Sequence, residues 1–131
     1  MTKTLSVMEV INFPLTVMVG RKPFSLNLNK FRNTHYAVLA KAKENYKSLV
    51  KLPKAHYDKV RLEYTLFPKT KRRLDVSNVC SIVDKFASDM LVDAGILDDD
   101  NFDIVVEVVY RFGCIDKDNP RCELKVVELR E

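Results

Sequence analysis

A long amphipathic segment between two stretches with strand character is the feature that most limits how this chain can fold. Apolar residues recur at helical spacing from about Val76 to Ala94, and Gly95 marks the expected end of the helix. Alternating apolar and polar residues over Lys59–Phe67 predict a half-buried strand before the helix, and a Val-rich stretch over Phe102–Phe112 predicts a long strand after it. These three elements indicate a domain that combines helices with a sheet.

The remaining segments extend this pattern in both directions. Alternating apolar residues within 7–20 predict a first strand, and the polar, Asn-rich residues 25–33 are expected to form a loop. Thr34 is the expected N-cap of a helix that runs to about Val50. A final strand is expected over Cys122–Leu129.

Length and composition are those of one globular domain. The chain has 131 residues, of which 47% are hydrophobic and 31% charged, which suffices for one core. We therefore predict an α+β fold in a single compact domain over residues 1–131, in the order strand, helix, strand, helix, strand, strand, with a mixed sheet packed by two helices. No apolar stretch approaches the roughly 20 residues that span a bilayer, and no secretion signal is recognisable, so we expect a cytoplasmic protein without a membrane partner.

Charge is divided unevenly along the chain. Residues 1–73 contain 16 Lys and Arg against 4 Asp and Glu, a net charge of +12, whereas residues 74–131 contain 6 against 14, a net charge of −8. A basic half favours a polyanionic partner, and a concentration of carboxylates favours a metal site. Together they favour a metal-dependent enzyme that acts on a phosphate backbone. Two solvated faces that pair with one another would produce the same division.

Carboxylates stand at both ends of the second predicted helix. Asp75 precedes the helix, and Asp98–Asp100 follow it. Clustered carboxylates repel one another unless a cation neutralises them, and oxygen ligands without His or Cys suit Mg²⁺ or Mn²⁺. A helix cap at Asp75 and a polar turn at Asp98–Asp100 are the simpler interpretations.

On a helical wheel the polar residues of this helix lie on different sides of its axis. Asn78, Lys85 and Asp89 share one flank and could line a site, where the lysine could stabilise charge that develops on a phosphate. Asp84 points about 100° away from Lys85 and is predicted to face solvent.

The order Arg-Arg-Leu-Asp75-Val-Ser77-Asn78, a helix with Lys85, an Ala-Gly helix end and Asp99-Asp100 resembles the RusA family of Holliday junction resolvases. These are small homodimeric, Mg²⁺-dependent endonucleases, often phage-encoded, that nick four-way DNA junctions symmetrically. In this resemblance Asp75 matches the first acid of the family's Asp-x-Asp-Asn pattern, Asn78 its Asn, Lys85 its helical Lys, and Asp99 and Asp100 its final acidic pair. Ser77 stands where the family has its second acid, and about four extra residues, one helical turn, separate Asn78 from Lys85.

The resemblance implies a role for each of these residues. The implied catalytic residues are Asp75, Lys85, Asp99 and Asp100, and the implied Mg²⁺ ligands are Asp75, Asp89, Asp99 and Asp100, with Mn²⁺ as a substitute ion. The implied DNA-binding residues are Arg21, Lys22, Lys30, Arg32, Lys69, Lys71, Arg72, Arg73 and Asn78.

The implied partners are four-way junction DNA and a second copy of the chain, with no small-molecule cofactor. Either the predicted Val-rich strand, over Ile104–Val109, or the first helix could form the dimer contact. Because Ser77 replaces an acid, a branched-DNA binding protein without nuclease turnover is the alternative function. A metal-dependent nuclease that acts on flaps or RNA hybrids is the third hypothesis.

Overall fold

A four-stranded mixed sheet forms the centre of the structure, a computed structural model that describes residues 4–73 and 75–130. Along the chain the elements are β1 (Thr4–Phe13), β2 (Thr16–Val19), β3 (Lys22–Ser25), α1 (Leu28–Arg32), α2 (Tyr36–Leu49), β4 (Val60–Phe67), α3 (Val76–Asp93), β5 (Val105–Phe112) and β6 (Arg121–Arg130). The sheet order is β1-β6-β4-β5, while β2 and β3 form a separate hairpin. β6 pairs antiparallel with both of its neighbours, whereas β4 and β5 are parallel.

The core lies between the sheet and the helices. β4 and β6 are the two internal strands of the sheet, and in β4 Leu62, Tyr64 and Leu66 are almost completely inaccessible. A parallel connection needs a crossover of a dozen or more residues, and α3 provides it between β4 and β5. The sheet and α3 therefore form the rigid frame on which the charged residues are held.

Tyr46 of α2 connects the N-terminal half of the chain to this frame. Its ring stacks on Phe13 at the end of β1, with the centroids 6.0 Å apart, and meets the edge of Phe86 of α3 at 5.3 Å. Its hydroxyl donates a hydrogen bond to the carbonyl of Pro14 at 2.7 Å. Burial raises the pKa of this hydroxyl, so it remains a neutral donor.

The C-terminal end of α3 confirms the predicted stop at Gly95. This residue has a φ of +74°, and its N–H donates to the carbonyl of Val92 while Ile96 N–H donates to Leu91. The pair of bonds is the Schellman arrangement, which needs a left-handed residue just past the helix and favours glycine there.

The predicted α+β class and the mixed sheet are confirmed, and the differences concern short elements. Residues 25–33, expected as a loop, contain α1, so the described residues hold three helices rather than two. Residues 7–20, expected as one strand, include part of β1 and all of β2. Asn27 explains the extra helix, because its side chain accepts the Lys30 N–H at 2.8 Å and caps a segment too short to show helical periodicity.

Two element boundaries also differ from their predictions. α2 begins at Tyr36 rather than after Thr34, because His35 is the N-cap and its Nδ1 accepts the N–H of Ala37 at 3.1 Å. β5 begins at Val105, since the preceding residues form a turn closed by hydrogen bonds to the carbonyl of Asn101. Ala94, the last residue of the predicted apolar helical pattern, is exposed because it follows the last turn of α3. None of the helices within the described ranges is long and apolar enough to cross a membrane.

A candidate nucleic-acid cleft and a separate acidic groove

The loop after β4 is the most basic exposed segment of the structure. Residues 69–73 contain four Lys and Arg side chains, all exposed, and lead directly into α3. A cleft of about 620 Å³ is lined by this loop and by the Asn27 and Asn29 side of α1. A second opening of about 490 Å³ lies between the same loop and the end of β5 at Phe112. We call these two openings together the basic cleft.

Asp75 is a carboxylate of the basic cleft and contributes to both of its openings. It occupies the N-cap position of α3 but makes no side-chain capping hydrogen bond, which corrects the simpler interpretation of this residue as a helix cap. Its side chain is exposed among Lys71, Arg72 and Arg73. The cleft therefore combines cationic side chains, the positive end of an 18-residue helix and one available carboxylate.

Asn78 lies one turn into α3 and holds α1 in place. Its Oδ1 accepts the backbone N–H of Leu28 at 3.0 Å, so that oxygen is already used by the protein. The predicted DNA-binding role of Asn78 is thus joined by a structural one, because it fixes the wall of the basic cleft that carries Asn27 and Asn29.

Lys85 and Asp89, predicted to line a site with Asn78, instead contact the neighbouring helices. The Lys85 ammonium lies 5.9 Å from the ring centroid of Phe31 in α1. A carboxylate oxygen of Asp89 lies 3.3 Å from the Lys43 ammonium of α2. The flank of α3 is therefore a docking surface for α1 and α2 in this structure.

The acidic residues that follow α3 form a second opening, the acidic groove, between α2 and α3. It has a volume of about 560 Å³ and includes Asp89, Asp93, Asp99 and Asp100 together with Lys43 and Lys47. Lys47 pairs with Asp93 at 2.5 Å, so the cations of α2 partly neutralise this groove. The backbone N–H of Asp100 and the Asn101 amide hold the pKa of Asp99 below its ordinary value.

The basic cleft and the acidic groove lie at opposite ends of α3. The helix has 18 residues and is about 27 Å long, with Asp75 at its start and Asp99 and Asp100 beyond its end. Within a single chain, the strand that follows Asp100 does not bring this residue beside Asp75. Because β4 and β5 are parallel, the start of β5 lies at the start of β4, whereas Asp75 follows the end of β4.

The predicted metal ligands are therefore not brought together within one copy of the chain, as far as residues 4–73 and 75–130 describe it. Among residues 4–73 and 75–130 no group of three or more His, Cys, Asp or Glu side chains is arranged to hold a metal ion. Mg²⁺ is often held by only one or two carboxylates, with waters and substrate phosphates as its other ligands. Asp75 fits that minimal arrangement, and Asp89, Asp99 and Asp100 do not reach it.

The remaining predicted DNA-binding residues are exposed but do not line the basic cleft. Lys30 and Arg32 belong to α1, whose first turn forms a wall of the basic cleft. Arg21 and Lys22 lie at the turn between β2 and β3. These positions would extend a positive surface away from the loop that carries Asp75.

Asp84 does not face solvent, contrary to its prediction. Its carboxylate accepts hydrogen bonds from the hydroxyls of Tyr64 and Tyr110, both at 2.8 Å, and from Ser88 at 2.9 Å. Burial, followed by the charge of Asp84, raises the pKa of Tyr64 well above its ordinary value, which keeps the hydroxyl protonated as a donor. The two tyrosines come from β4 and β5, so no local pattern around Asp84 could reveal them.

Sequence reasoning also missed the role of the asparagines on the α1 side of the cleft, although the sequence shows that asparagine is frequent in residues 25–33.

Comparison with known proteins identifies no relative of the chain, since no protein-family profile and no curated protein matches it significantly. Function must therefore be argued from the residues of the cleft.

Proposed function

We propose that the protein is a structure-selective endodeoxyribonuclease of the RusA type that depends on Mg²⁺ and resolves four-way DNA junctions by paired nicks. The observation that carries the proposal is the basic cleft, in which the exposed Asp75 stands beside Arg72 and Arg73. Cations of this kind hold phosphates, and a carboxylate among them is unfavourable for phosphate binding unless it has a chemical role.

The cleft suits recognition of DNA by its backbone. Lys69, Lys71 and the two arginines project from one loop, and the N-terminus of α3 adds positive potential at the same place. Contacts of this type position a nucleic acid without reading its bases. A branched DNA differs from a duplex in shape rather than in sequence, so such contacts suit a junction.

Asp75 is the residue that would hold the metal ion in the cleft. When bound, Mg²⁺ polarises a phosphoryl oxygen and increases the acidity of a bound water. The basic side chains of residues 69–73 would keep the flanking phosphates in place, and the absence of a side-chain cap leaves the carboxylate free for this role.

A branched-DNA binding protein without turnover is the second candidate. The observation that favours it is the distance between Asp75 and the pair Asp99 and Asp100 in one chain, together with Ser77 at the position of the family's second acid. This candidate keeps the basic cleft as the binding surface and predicts no hydrolysis.

The two candidates are separated by measuring binding and nicking of a synthetic four-way junction, with and without Mg²⁺, at saturating protein. We expect Asp75→Asn to lower nicking by orders of magnitude while junction binding persists or tightens, because a negative charge is removed from the phosphate site. If a second copy brings its acidic residues to the cleft, Asp99→Asn and Asp100→Asn should lower nicking as well, with a smaller effect at Asp89. Lys85→Ala should lower nicking because Lys85 contacts Phe31 of α1, whose first turn lines the cleft. Unchanged nicking by Asp75→Asn would refute its assigned role.

Binding has its own variants and control. Arg72→Ala and Arg73→Ala should weaken binding to every junction sequence alike. Each should also reduce the magnitude of the negative slope of log affinity against log salt by about one. Lys54→Ala, an exposed lysine between α2 and β4, is the matched control and should leave that slope closer to the wild-type value. A wild-type affinity independent of salt would show that the basic cleft is not the DNA surface.

A further inference from the structure

The opening of the basic cleft on the β5 side has an apolar wall as well as a cationic one. Phe112 and Ile115 line this opening of about 490 Å³ together with the cationic residues 71–73. Phe112 is 54% exposed and Ile115 is 42% exposed. Phosphates need cations and hydrogen-bond donors rather than apolar surface, so contacts with the DNA backbone do not account for this wall.

The alternation of β5 carries Phe112 into the cleft. The Tyr110 hydroxyl donates to Asp84 at 2.8 Å, so the even-numbered side chains at the end of β5 lie on the face of the sheet that α3 covers. Arg111 lies on the opposite face, where it pairs with Glu63. Phe112 is the last residue of β5 and lies on the α3 face beside the N-terminal end of the helix, which leaves its ring half exposed.

The turn that follows β5 fixes the position of the apolar wall. Gly113 N–H donates to the carbonyl of Leu66 at 2.9 Å, and Asp116 N–H donates to the carbonyl of Pro68 at 2.8 Å. Ile115 lies between these two hydrogen bonds along the chain. Both ends of the segment that carries it are therefore bound to the C-terminal end of β4 and the residue that follows it.

Asp116 and Gly113 stabilise the remainder of the turn. The Asp116 carboxylate accepts the backbone N–H of Asn119 at 3.1 Å and a guanidinium N–H of Arg121 at 2.9 Å, and these bonds hold its pKa below the ordinary value. A Cβ at Gly113 would lie 2.5 Å from the ring of Phe67, so the close approach of the turn to β4 needs glycine here. A wall held in this way is ordered before a ligand binds, which lowers the entropic cost of binding.

The cationic side of the opening complements an anionic ligand that also has an apolar part. Arg72 and Arg73 line both openings of the basic cleft, so a strand whose phosphate they hold can place its base against Phe112. An aromatic ring beside cations is the arrangement by which proteins bind single-stranded nucleic acid, since bases stack on the ring and phosphates follow the cations. The volume lies within the range of about 300–1,000 Å³ that is usual for small-molecule sites, so it suffices for one base.

We propose that this opening binds one unpaired nucleobase of a DNA strand whose phosphates lie on the basic loop, residues 69–73. The base stacks on Phe112 with Ile115 at its edge, and the adjacent phosphate contacts Arg72 or Arg73. The base site rests on the proposed function, since it takes the basic cleft as the DNA surface. A base within a regular duplex is stacked on its neighbours and does not enter the opening, so the site favours DNA that is branched or distorted.

Two DNA probes test the proposal by fluorescence anisotropy at low salt in EDTA, where metal-dependent cleavage cannot occur. The first is a duplex with one extrahelical adenine, and the second is the same duplex with an abasic residue at that position, which keeps the phosphates and removes the base. The wild type should bind the adenine probe about tenfold more tightly than the abasic probe. Phe112→Ala should reduce this ratio to about one and leave the affinity for the abasic probe unchanged. Equal wild-type affinity for the two probes, or a ratio that Phe112→Ala does not change, would overturn the proposal.

Matched variants distinguish loss of stacking from loss of folding. Phe112→Trp keeps an aromatic face and should preserve the ratio. Phe102→Ala removes another phenylalanine, which is 81% exposed and lies beyond the C-terminal end of α3, and it should also preserve the ratio. Unchanged affinity of Phe112→Ala for the abasic probe shows that this variant is folded. Loss of the ratio in Phe102→Ala would contradict the assignment of the stacking surface to Phe112.

Arginine variants separate failure of the base site from failure of the proposed function. Arg72→Ala and Arg73→Ala should weaken binding of both probes alike and preserve their ratio, because each removes a phosphate contact. If they weaken binding while the wild type does not distinguish the probes, the base site is refuted and the DNA surface remains. If neither weakens binding, the DNA surface and the base site both fail. A mass of Phe112→Ala that differs from the wild-type mass in analytical ultracentrifugation without DNA would assign the apolar wall to a protein contact instead.

Discussion

At the residue scale, Asp84 shows most clearly how a surface prediction can fail. Three hydroxyl groups donate to this carboxylate, and two of them belong to tyrosines of β4 and β5. We expect Asp84→Asn to lower the free energy of unfolding by about 1–3 kcal/mol, because the amide offers one oxygen and an NH2 group to three donors. Urea denaturation measures the change. Asp93→Asn, which removes an exposed pair with Lys47, should cost no more than about 1 kcal/mol, and an equal cost for both variants would contradict the argument.

Glu63 is a second residue whose environment predicts a measurable effect, here on pH dependence. The hydrogen bond from Arg111, aided by Arg61, holds the pKa of this mostly buried carboxyl below its ordinary value. A lowered native pKa stabilises the fold above the unfolded-state pKa, and the contribution disappears as the pH falls through the native one. We expect Glu63→Gln to cost about 2 kcal/mol at pH 7 and progressively less in acid, as measured by urea denaturation at several pH values. A cost independent of pH would contradict the assigned cause.

At the element scale, the end of α3 depends on the left-handed backbone of Gly95. A Cβ at this position would meet no atom within 4 Å, so the cost of a side chain comes from its φ of +74° alone. We expect Gly95→Ala to lower the free energy of unfolding by about 1–2 kcal/mol. Gly95→Asn should lower it less, since asparagine tolerates this backbone region. Thermal unfolding of both variants measures the difference, and an alanine variant as stable as the wild type would contradict it.

At the scale of the whole molecule, the parallel pairing of β4 and β5 decides where the acidic residues can meet. Within one chain this pairing leaves Asp75 at the start of α3 and Asp99 and Asp100 beyond its end. Carboxylates that one chain separates can approach one another between two copies of a homodimer, the assembly that the resemblance to the RusA family implies.

A homodimeric nuclease that shares carboxylates between its two copies predicts complementation between inactive variants. Asp75→Asn and Asp100→Asn should each lack nicking as homodimers. A mixture should regain part of the activity, because a heterodimer contains one cleft with Asp75 from one copy facing Asp100 from the other. A Mg²⁺-dependent nicking assay on a four-way junction measures the recovery. If the mixture stays inactive although heterodimers form, the two copies do not share carboxylates.

Local chemistry determined what the sequence alone could establish about this protein. Strand alternation before α3, the helical period of α3 and the glycine after it are patterns of neighbouring residues, and each was confirmed within a few residues. The division of charge and the basic residues before Asp75 are also local, and they correctly anticipated an exposed basic segment beside a carboxylate. The short helix α1 was missed because five residues are too few to show a period.

Only the tertiary structure decided which distant residues meet. Strand order and direction are set by the packing of the whole sheet, and they place Asp75 and Asp100 at opposite ends of α3. The same packing brings the hydroxyls of Tyr64 and Tyr110 to Asp84, 20 and 26 residues away along the chain. A helical wheel gives the direction of a side chain from its own axis, but whether water or another element lies in that direction depends on contacts between segments that are far apart in sequence.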